Sequence, residues 1–469
     1  MRKTKIVCTL GPATDKKEVL VRLAKAGMNV ARLNMSHGTH AEQAERIRLV
    51  KEIREELGMP LSVMLDTKGP EVRVKTFKNG KAHLEEGDLF TLCANDVGGD
   101  DSRVGISFPE LHKYLKTGDE ILADDGNIEL KVKEVNNNEI ITTVVVGGTL
   151  TNRKSLNFPG IEIDMDYLSE ADKKDIAFGV VQGVDVIALS FVRSADDVKV
   201  IREYLSQLGS KGISLISKIE NRQGVNNMLP IIKASEGIMV ARGDMGVEIP
   251  FEELPGIQKR LIKNCYCAGR TVITATQMLE SMITKARPTR AEISDVANAV
   301  YDGTSATMLS GETAMGKYPV ETVKTMAKII NNAEKDINYK KRFYEFDMGI
   351  DSITDAVSHS AASAAHDLNA KAIIALTTSG NTVRRISRFR PQVPIIGSTL
   401  CKQVYHQLAM SWGVEPLLTE IDSDMEGFEE LAIQCALRTK LIKKDDTVVL
   451  VAGVPQGAGN TNLMKIQKV

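Results

Sequence analysis

The sequence predicts an α/β chain in three parts: an eight-stranded β/α (TIM) barrel, an all-β domain inserted into it, and a C-terminal open α/β domain. Three observations predict this. Short β-branched runs alternate with amphipathic stretches over residues 1–330, the pattern of parallel βα units. There are eight such runs, the number that closes a barrel. The third and fourth are separated by about a hundred residues of a different texture.

The predicted barrel strands are Lys5–Leu10, Met28–Asn34, Leu61–Asp66, Val184–Ser190, Ile213–Ile219, Gly237–Ala241, Thr271–Thr276 and Thr304–Leu309. They run in order into Thr9, Asn34, Asp66, Ser190, Lys218 with Glu220, Arg242 with Asp244, Thr276 and Ser310. One polar ending means little. Eight together imply one shared polar cavity, because a β/α barrel keeps its active site at the carboxyl ends of its strands.

Within residues 70–167, β runs such as Asp88–Cys93, Glu120–Ala123 and Ile140–Val146 are separated by turn signals at Asn79-Gly80, Glu86-Gly87-Asp88, Asp125-Gly126 and Asn136–Asn138. This insertion leaves the barrel at its catalytic end, where it is placed to act as a lid. After a charged stretch near Lys335–Asp347 come a small-residue helix (Ile353–Asn369), strand Ala372–Thr377, helix Asn381–Phe389, strand Pro394–Gly397, helices Lys402–Ala409 and Met425–Arg438, and strand Thr447–Val451. The expected domains are therefore 1–69 with 168–340 (barrel), 70–167 (lid) and 348–469 (C-terminal domain).

Composition narrows the function classes. Sixty basic and 61 acidic residues leave a net charge of −1, so no global field favours nucleic acid or a membrane surface. No apolar run approaches the ~20 residues of a membrane helix. No signal peptide precedes Lys5–Leu10, and the cytoplasm is the expected compartment. The six cysteines lack metal spacing and read as reduced thiols. The seven histidines form no metal-spaced cluster.

Alternate strand residues share a face. Lys218 and Glu220 do so at one strand end, and Arg242 and Asp244 do so if the strand geometry persists. Two carboxylates from adjacent strands suit Mg²⁺, which takes one or two carboxylates plus waters and substrate oxygens. A neighbouring lysine stabilises charge on a transferred phosphoryl group. A buried structural ion pair is the plain alternative. Arg32, Asn34 and Ser36 alternate likewise; arginine suits phosphate, and the Asn and Ser oxygens with Asp66-Thr67 offer a second, weaker cation site. Otherwise the segment is a solvated loop with a helix N-cap at Ser36. Gly69-Pro70 reads as a hinge from which Arg73 reaches back to the cleft. Thr276 places a hydroxyl where a proton could be held. The Arg287–Glu292 loop reads as structural or interface ion pairing. In the third domain, Thr377-Thr378-Ser379-Gly380-Asn381-Thr382 runs into a helix, a phosphate nest that Gly453–Thr461 could close.

Taken together, Lys5–Pro12, Ala31–Gly38, Leu65–Arg73, Asn157–Gly160, Ile213–Gly224, Met239–Pro250, Thr274–Met282, Arg287–Val300 and Met308–Pro319 resemble pyruvate kinase along essentially the whole chain. The resemblance implies transfer of the phosphoryl group of phosphoenolpyruvate to ADP, giving pyruvate and ATP. It implies Mg²⁺ (or Mn²⁺) on Glu220 and Asp244, and K⁺ on Asn34, Ser36, Asp66 and Thr67. Lys218 then stabilises the phosphoryl group, with Arg73 and Thr276 as further catalytic residues. Arg32, Gly243, Asp244 and Thr276 bind substrate, and Thr276 relays a proton with Ser310 and Glu312. Asn34, His37, Arg73 and Lys154 meet the nucleotide. Glu71 implies K⁺ dependence, since the family carries Glu or Lys there and Glu accompanies that dependence. Residues 377–382 imply a sugar-phosphate or AMP effector, and the family implies a homotetramer. The sequence also reads as a form without the additional C-terminal phosphohistidine-type domain of some bacterial relatives or the N-terminal extension of animal ones. Met35, Met245, Ser155, Ser305 and Thr307 depart from the usual residues, and Ser155 bears on the loop carrying Lys154. A Mg²⁺-dependent aldolase or lyase on the same barrel, and a silent metabolite sensor using the last domain alone, are the competing classes. An ATP-forming assay separates them.

Overall fold

The computed structural model describes residues 1–345, 349–419, 425–453 and 461–469. Eight parallel strands close a barrel: β1 (Lys5–Thr9), β2 (Val30–Asn34), β3 (Ser62–Asp66), β4 (Val186–Leu189), β5 (Ser214–Ile219), β6 (Gly237–Ala241), β7 (Thr271–Ala275) and β8 (Ala306–Leu309). Each pairs with its sequence neighbours, and β1 pairs with β8 to seal the ring. All eight are buried on both faces except at Asn34. They therefore read as near-continuous apolar runs rather than alternating ones. Outward side chains pack under the surrounding helices, while Val7, Val30, Met64, Ile216, Met239 and Met308 fill the interior.

The insertion between β3 and β4 is all-β, as expected. A seven-stranded sheet and a separate two-stranded pair, Gly148–Thr151 with Lys81–Leu84, enclose their own core around Phe90, Leu92, Ile121 and Leu130. The C-terminal domain is a five-stranded sheet in the order Val414–Leu418, Ile395–Thr399, Ala372–Leu376, Thr447–Gly453, Thr461–Lys468. Only the last strand is antiparallel. Both edge strands escape sequence reading. Val414–Leu418 carries Pro416, which an edge tolerates and a central strand does not; Thr461–Lys468 is largely polar.

This domain docks on the amino ends of the barrel strands. Lys5 Nζ donates to Val414 O (2.6 Å), Gln407 Nε2 to Asp185 O (3.0 Å) and Gly212 O (2.6 Å), and Gly413 N to Lys3 O (2.9 Å). Met410 inserts from the docked domain into the apolar interior of the barrel.

Candidate active site

A cavity of about 420 Å³ lies between the carboxyl ends of the strands and the lid. Arg32, Asn34, Ser36, His37, Thr67, Lys218, Glu220 and Asp244 line it from the barrel; Arg73 and Lys154 line it from the lid. The polar strand ends thus converge.

The centre is a desolvated charge network. Lys218 Nζ donates to Ser190 Oγ (2.7 Å) and lies 3.0 Å from Glu220 Oε1 and 3.3 Å from Asp66 Oδ1. Arg32 Nε donates to Asp66 Oδ2 (2.6 Å), and its Nη1 to Thr9 Oγ1 (2.9 Å). Asp66 is fully buried and Lys218 only 8% exposed. Burial opposes the lysine's charge, but Asp66, Glu220 and Asp244 outweigh it and hold the ammonium above its usual range. Asp66 is held low: burial pushes it up, and Arg32 and Lys218 more than compensate. Glu220 goes the other way. Burial pushes it up to about 8, Lys218 offsets only part of this, and Asp244 adds to it. Phe191 N donates to Glu220 Oε2 (2.6 Å), while Oε1 is buried and, among the described residues, has only the Lys218 ammonium beside it, without hydrogen-bond alignment. A buried carboxylate oxygen with a free lone pair, beside a second carboxylate, fits a divalent cation. Glu220 and Asp244, both in the cavity lining, offer oxygen donors of the two-carboxylate kind that suits Mg²⁺.

The loop after β2 turns its hydroxyl and amide into the cavity. Ser36 is not a helix N-cap: Thr39 caps His40–Leu57, with Glu42 completing the capping box, and Ser36 N instead donates to Asn34 Oδ1 (3.0 Å). Asp66 underlies this group rather than lining the cavity. From the lid, Arg73 pairs with Glu71, whose carboxyl burial raises despite that arginine. Lys154 pairs with Asp124 (2.5 Å).

Arg242 and Asp244 do not share a strand face, contrary to the expectation from alternation. The backbone turns helical at Arg242–Glu248. Arg242 points away to Asp295 (2.8 Å) and the carbonyls of Ala275 and Thr276, while Asp244 lines the cavity. Thr276 and Gly243 sit together beside the lining residues. Thr276 Oγ1 accepts from Gly243 N (2.9 Å) and donates to Ala275 O (2.6 Å), at a backbone φ of +65°. The Glu312 carboxylate is occupied by the N–H groups of Leu279 (3.1 Å) and Ser310 (2.7 Å).

One cavity residue escapes sequence reading, and Ser190, legible as a strand end, gains a role there that the sequence does not show. Glu248 is pushed up to about 7 by burial, with Asn157 of the lid 3.5 Å away; an isolated acid on a short helix gives no signal. Ser190 carries a weak one, its place at a strand end.

In the C-terminal domain, Thr377 Oγ1 accepts from Gly380 N (2.8 Å), Gly380 has φ +81°, and Thr382 and Thr461 share a hydroxyl hydrogen bond (2.7 Å). Asn381 opens helix Asn381–Ser387, and Thr378 and Ser379 are exposed. Of the loop Gly453–Thr461, residues 454–460 lie outside the described residues.

Comparison with known proteins agrees along the whole chain. Residues 1–323 match the family model for the pyruvate kinase barrel domain, and residues 355–467 that for the pyruvate kinase alpha/beta domain. The chain is 45% identical to a pyruvate kinase of Clostridium acetobutylicum over 472 residues, covering all of both chains. It is 46% identical to that of Bacillus licheniformis, covering all of this chain and 81% of the relative. A solved pyruvate kinase from Cryptosporidium parvum superposes with a TM-score of 0.94 at 38% identity, covering 100% of this chain and 96% of the other. No helix among the described residues is long and apolar enough to cross a membrane. The chain belongs to the pyruvate kinase family and is a phosphotransferase.

Proposed function

We propose that the chain transfers the phosphoryl group of phosphoenolpyruvate to ADP, giving pyruvate and ATP, the last step of glycolysis, in the cytoplasm. The observation that carries this reading is the burial of Lys218 against Asp66 and Glu220 at the floor of the cavity. A lysine kept charged in a dry site stabilises the charge of a phosphoryl group in flight.

Glu220 and Asp244 would hold Mg²⁺ or Mn²⁺; Asn34, Ser36, Asp66 and Thr67 would hold K⁺. When bound, these cations supply positive charge beside the phosphoryl oxygens and the leaving enolate. Arg32 and Lys218 orient the phosphoryl group. Arg73, Lys154, Asn34 and His37 bind the nucleotide, so that a terminal ADP oxygen is aligned on phosphorus as the bond from phosphorus to the enolate oxygen breaks. Gly243, Asp244 and Thr276 bind the three-carbon fragment. Thr276 takes part in passing a proton to the enolate carbon, which completes pyruvate and makes transfer to ADP downhill. The lid excludes water, which would otherwise accept the phosphoryl group. We assign the barrel to 1–69 and 168–340, the lid to 70–167 and an effector-binding domain to 348–469. The assembly is a homotetramer, with a sugar phosphate or AMP taken up at residues 377–382.

The experiment is a coupled assay for ATP formation from phosphoenolpyruvate and ADP with Mg²⁺. ATP formation supports the reading, and its absence favours the lyase or sensor class. Glu71 in the cavity wall supports K⁺ dependence: full activity in buffer free of Na⁺ and K⁺ refutes it. Sugar phosphates and AMP that leave both melting temperature and kinetics unmoved remove the effector proposal, and light scattering reads the oligomer.

A further inference from the structure

We propose that the turn Leu189-Ser190-Phe191 transmits the position of the lid to the catalytic lysine, with Ser190 as a positioning residue; the proposal rests on the phosphoryl-transfer reading above. β4 ends at Leu189, and Phe191 follows with φ +55°. A bulky side chain in that region persists only where its surroundings over-determine it. Here they do so on both sides. Phe191 N donates to Glu220 Oε2 (2.6 Å), and Ser190, 2% exposed, is engaged through every polar atom it has.

Ser190 Oγ accepts from Lys218 Nζ (2.7 Å) and donates to Thr67 O (2.6 Å). An ammonium accepts nothing, so the bond from Lys218 runs one way, and the hydroxyl's single proton goes to Thr67 O in preference to the more distant Asp66 Oδ1 (3.3 Å). Ser190 N donates to Thr67 Oγ1 (3.3 Å), and Ser190 O accepts from Tyr167 Oη (2.8 Å). Thr67 precedes the segment by which the chain leaves the barrel for the lid, and Tyr167 is where it returns. Between them Gly69, at φ +73°, packs flat on the same residue: a Cβ there would stand 2.7 Å from Ser190 O and 2.9 Å from Ser190 Cβ. Asp172 Oδ1 pins the exit further by accepting from Lys68 N (3.1 Å) and Gly69 N (3.2 Å).

Both lid connections therefore bear on one residue, whose hydroxyl is the neutral acceptor among Lys218's partners. The carboxylates of Asp66 and Glu220 hold the ammonium in place, and Ser190 sets where its remaining protons point. A swing of the lid that shifts Gly69 or Tyr167 moves this acceptor and, through Phe191, the Glu220 carboxylate.

The test uses the full chain with Ser190→Ala, Tyr167→Phe and the double variant, read by ATP-forming kinetics and by hydrogen exchange of the amides in 67–73. Losing a hydrogen bond to a charged group predicts a fall in kcat of about ten- to a hundredfold for S190A. Y167F touches no reacting group; it should speed exchange in 67–73 and still lower kcat by about three- to tenfold, consistent with one lost neutral hydrogen bond. In the S190A background it should lower kcat no further, the non-additivity expected of residues acting through one link. Wild-type kcat in S190A, an equal effect of Y167F in both backgrounds, or unchanged exchange in both single variants overturns the proposal. A wild-type protein that forms no ATP overturns the functional reading instead, and the exchange measurement then still decides whether the turn holds the lid connections.

Discussion

At the carboxyl ends of the strands, Arg32, Asp66, Lys218 and Glu220 are buried together; at the amino ends, Lys5, Arg390 and His406 are buried apart. At the mouth each cation has a carboxylate within 2.6–3.3 Å, and Lys218 stays charged although burial opposes it. At the floor Arg54 does pair with Asp185 (3.0 Å), but among the described residues no carboxylate takes that part for Lys5, Arg390 or His406. Lys5 donates to a carbonyl, and burial pulls it down to about 8. Arg390 lies 4.5 Å from the Trp412 ring centre and donates to Gly303 O (2.9 Å) and Ser305 Oγ (3.1 Å). Among the described residues both ring nitrogens of His406 lack a hydrogen-bond partner, and burial pulls it down to about 3. The difference teaches how one barrel separates its tasks. Mutual pairing lets the mouth keep charges that can act on a phosphoryl group. The floor is a seam, where an apolar plug and backbone carbonyls dock a second domain and burial lowers the pKa of Lys5, Arg390 and His406. Glu220 is the exception at the mouth: its buried carboxyl is pushed up to about 8 even beside a lysine, which marks where positive charge is still wanted.

The comparison breaks most sharply at Lys218. Lys218→Met should lower kcat by about 10²–10³-fold in the ATP-forming assay, as loss of one preorganised charge at a reacting oxygen does. A milder loss would make the mouth network structural. Next is the plug: Met410→Ala leaves a cavity inside the barrel and should cost about 2–5 kcal/mol, seen as a lower midpoint in denaturant, with kcat of the folded protein nearly kept. A midpoint within error of wild type would show that Met410 does not seal the floor. The smallest effect sharpens the floor itself. His406 titrates near 6.5 when unfolded and about 3 when folded, so between these values the unfolded chain binds the extra proton. Stability is then full above 6.5 and is lost as pH falls toward 3, by up to about 1.4 kcal/mol per unit. Burial dominates, Arg54, Lys402 and Lys51 also oppose protonation, and Glu55 favours it. His406→Leu should flatten that acid limb in melts from pH 7 to 5; an unchanged slope would place the titration elsewhere.

Much of this was legible in the sequence, for a physical reason. Each barrel strand is a short apolar run that must end in water or in the site, so residues such as Asn34, Asp66 and Lys218 announced the cavity by position alone. What stayed hidden depends on geometry that periodicity does not carry. The helix beginning at Arg242 sends its guanidinium to Asp295 while Asp244 stays in the cavity. Ser190 draws together Thr67, Tyr167 and Lys218 from three distant segments. Pro416 hides an edge strand, and the single acid Glu248 is pushed up mainly by burial, with the Asp244 charge adding to it.

The proposed divalent-cation site of Glu220 and Asp244, facing the phosphoryl group held by Lys218, is read most directly by titrating Mg²⁺ in the ATP-forming assay for wild type, Glu220→Gln and Asp244→Asn. Either carboxamide should raise the Mg²⁺ concentration for half-activation by about tenfold or more, as loss of a charged ligand worth at least ~1.4 kcal/mol requires. Carboxamide variants that titrate with Mg²⁺ as wild type does would contradict that assignment.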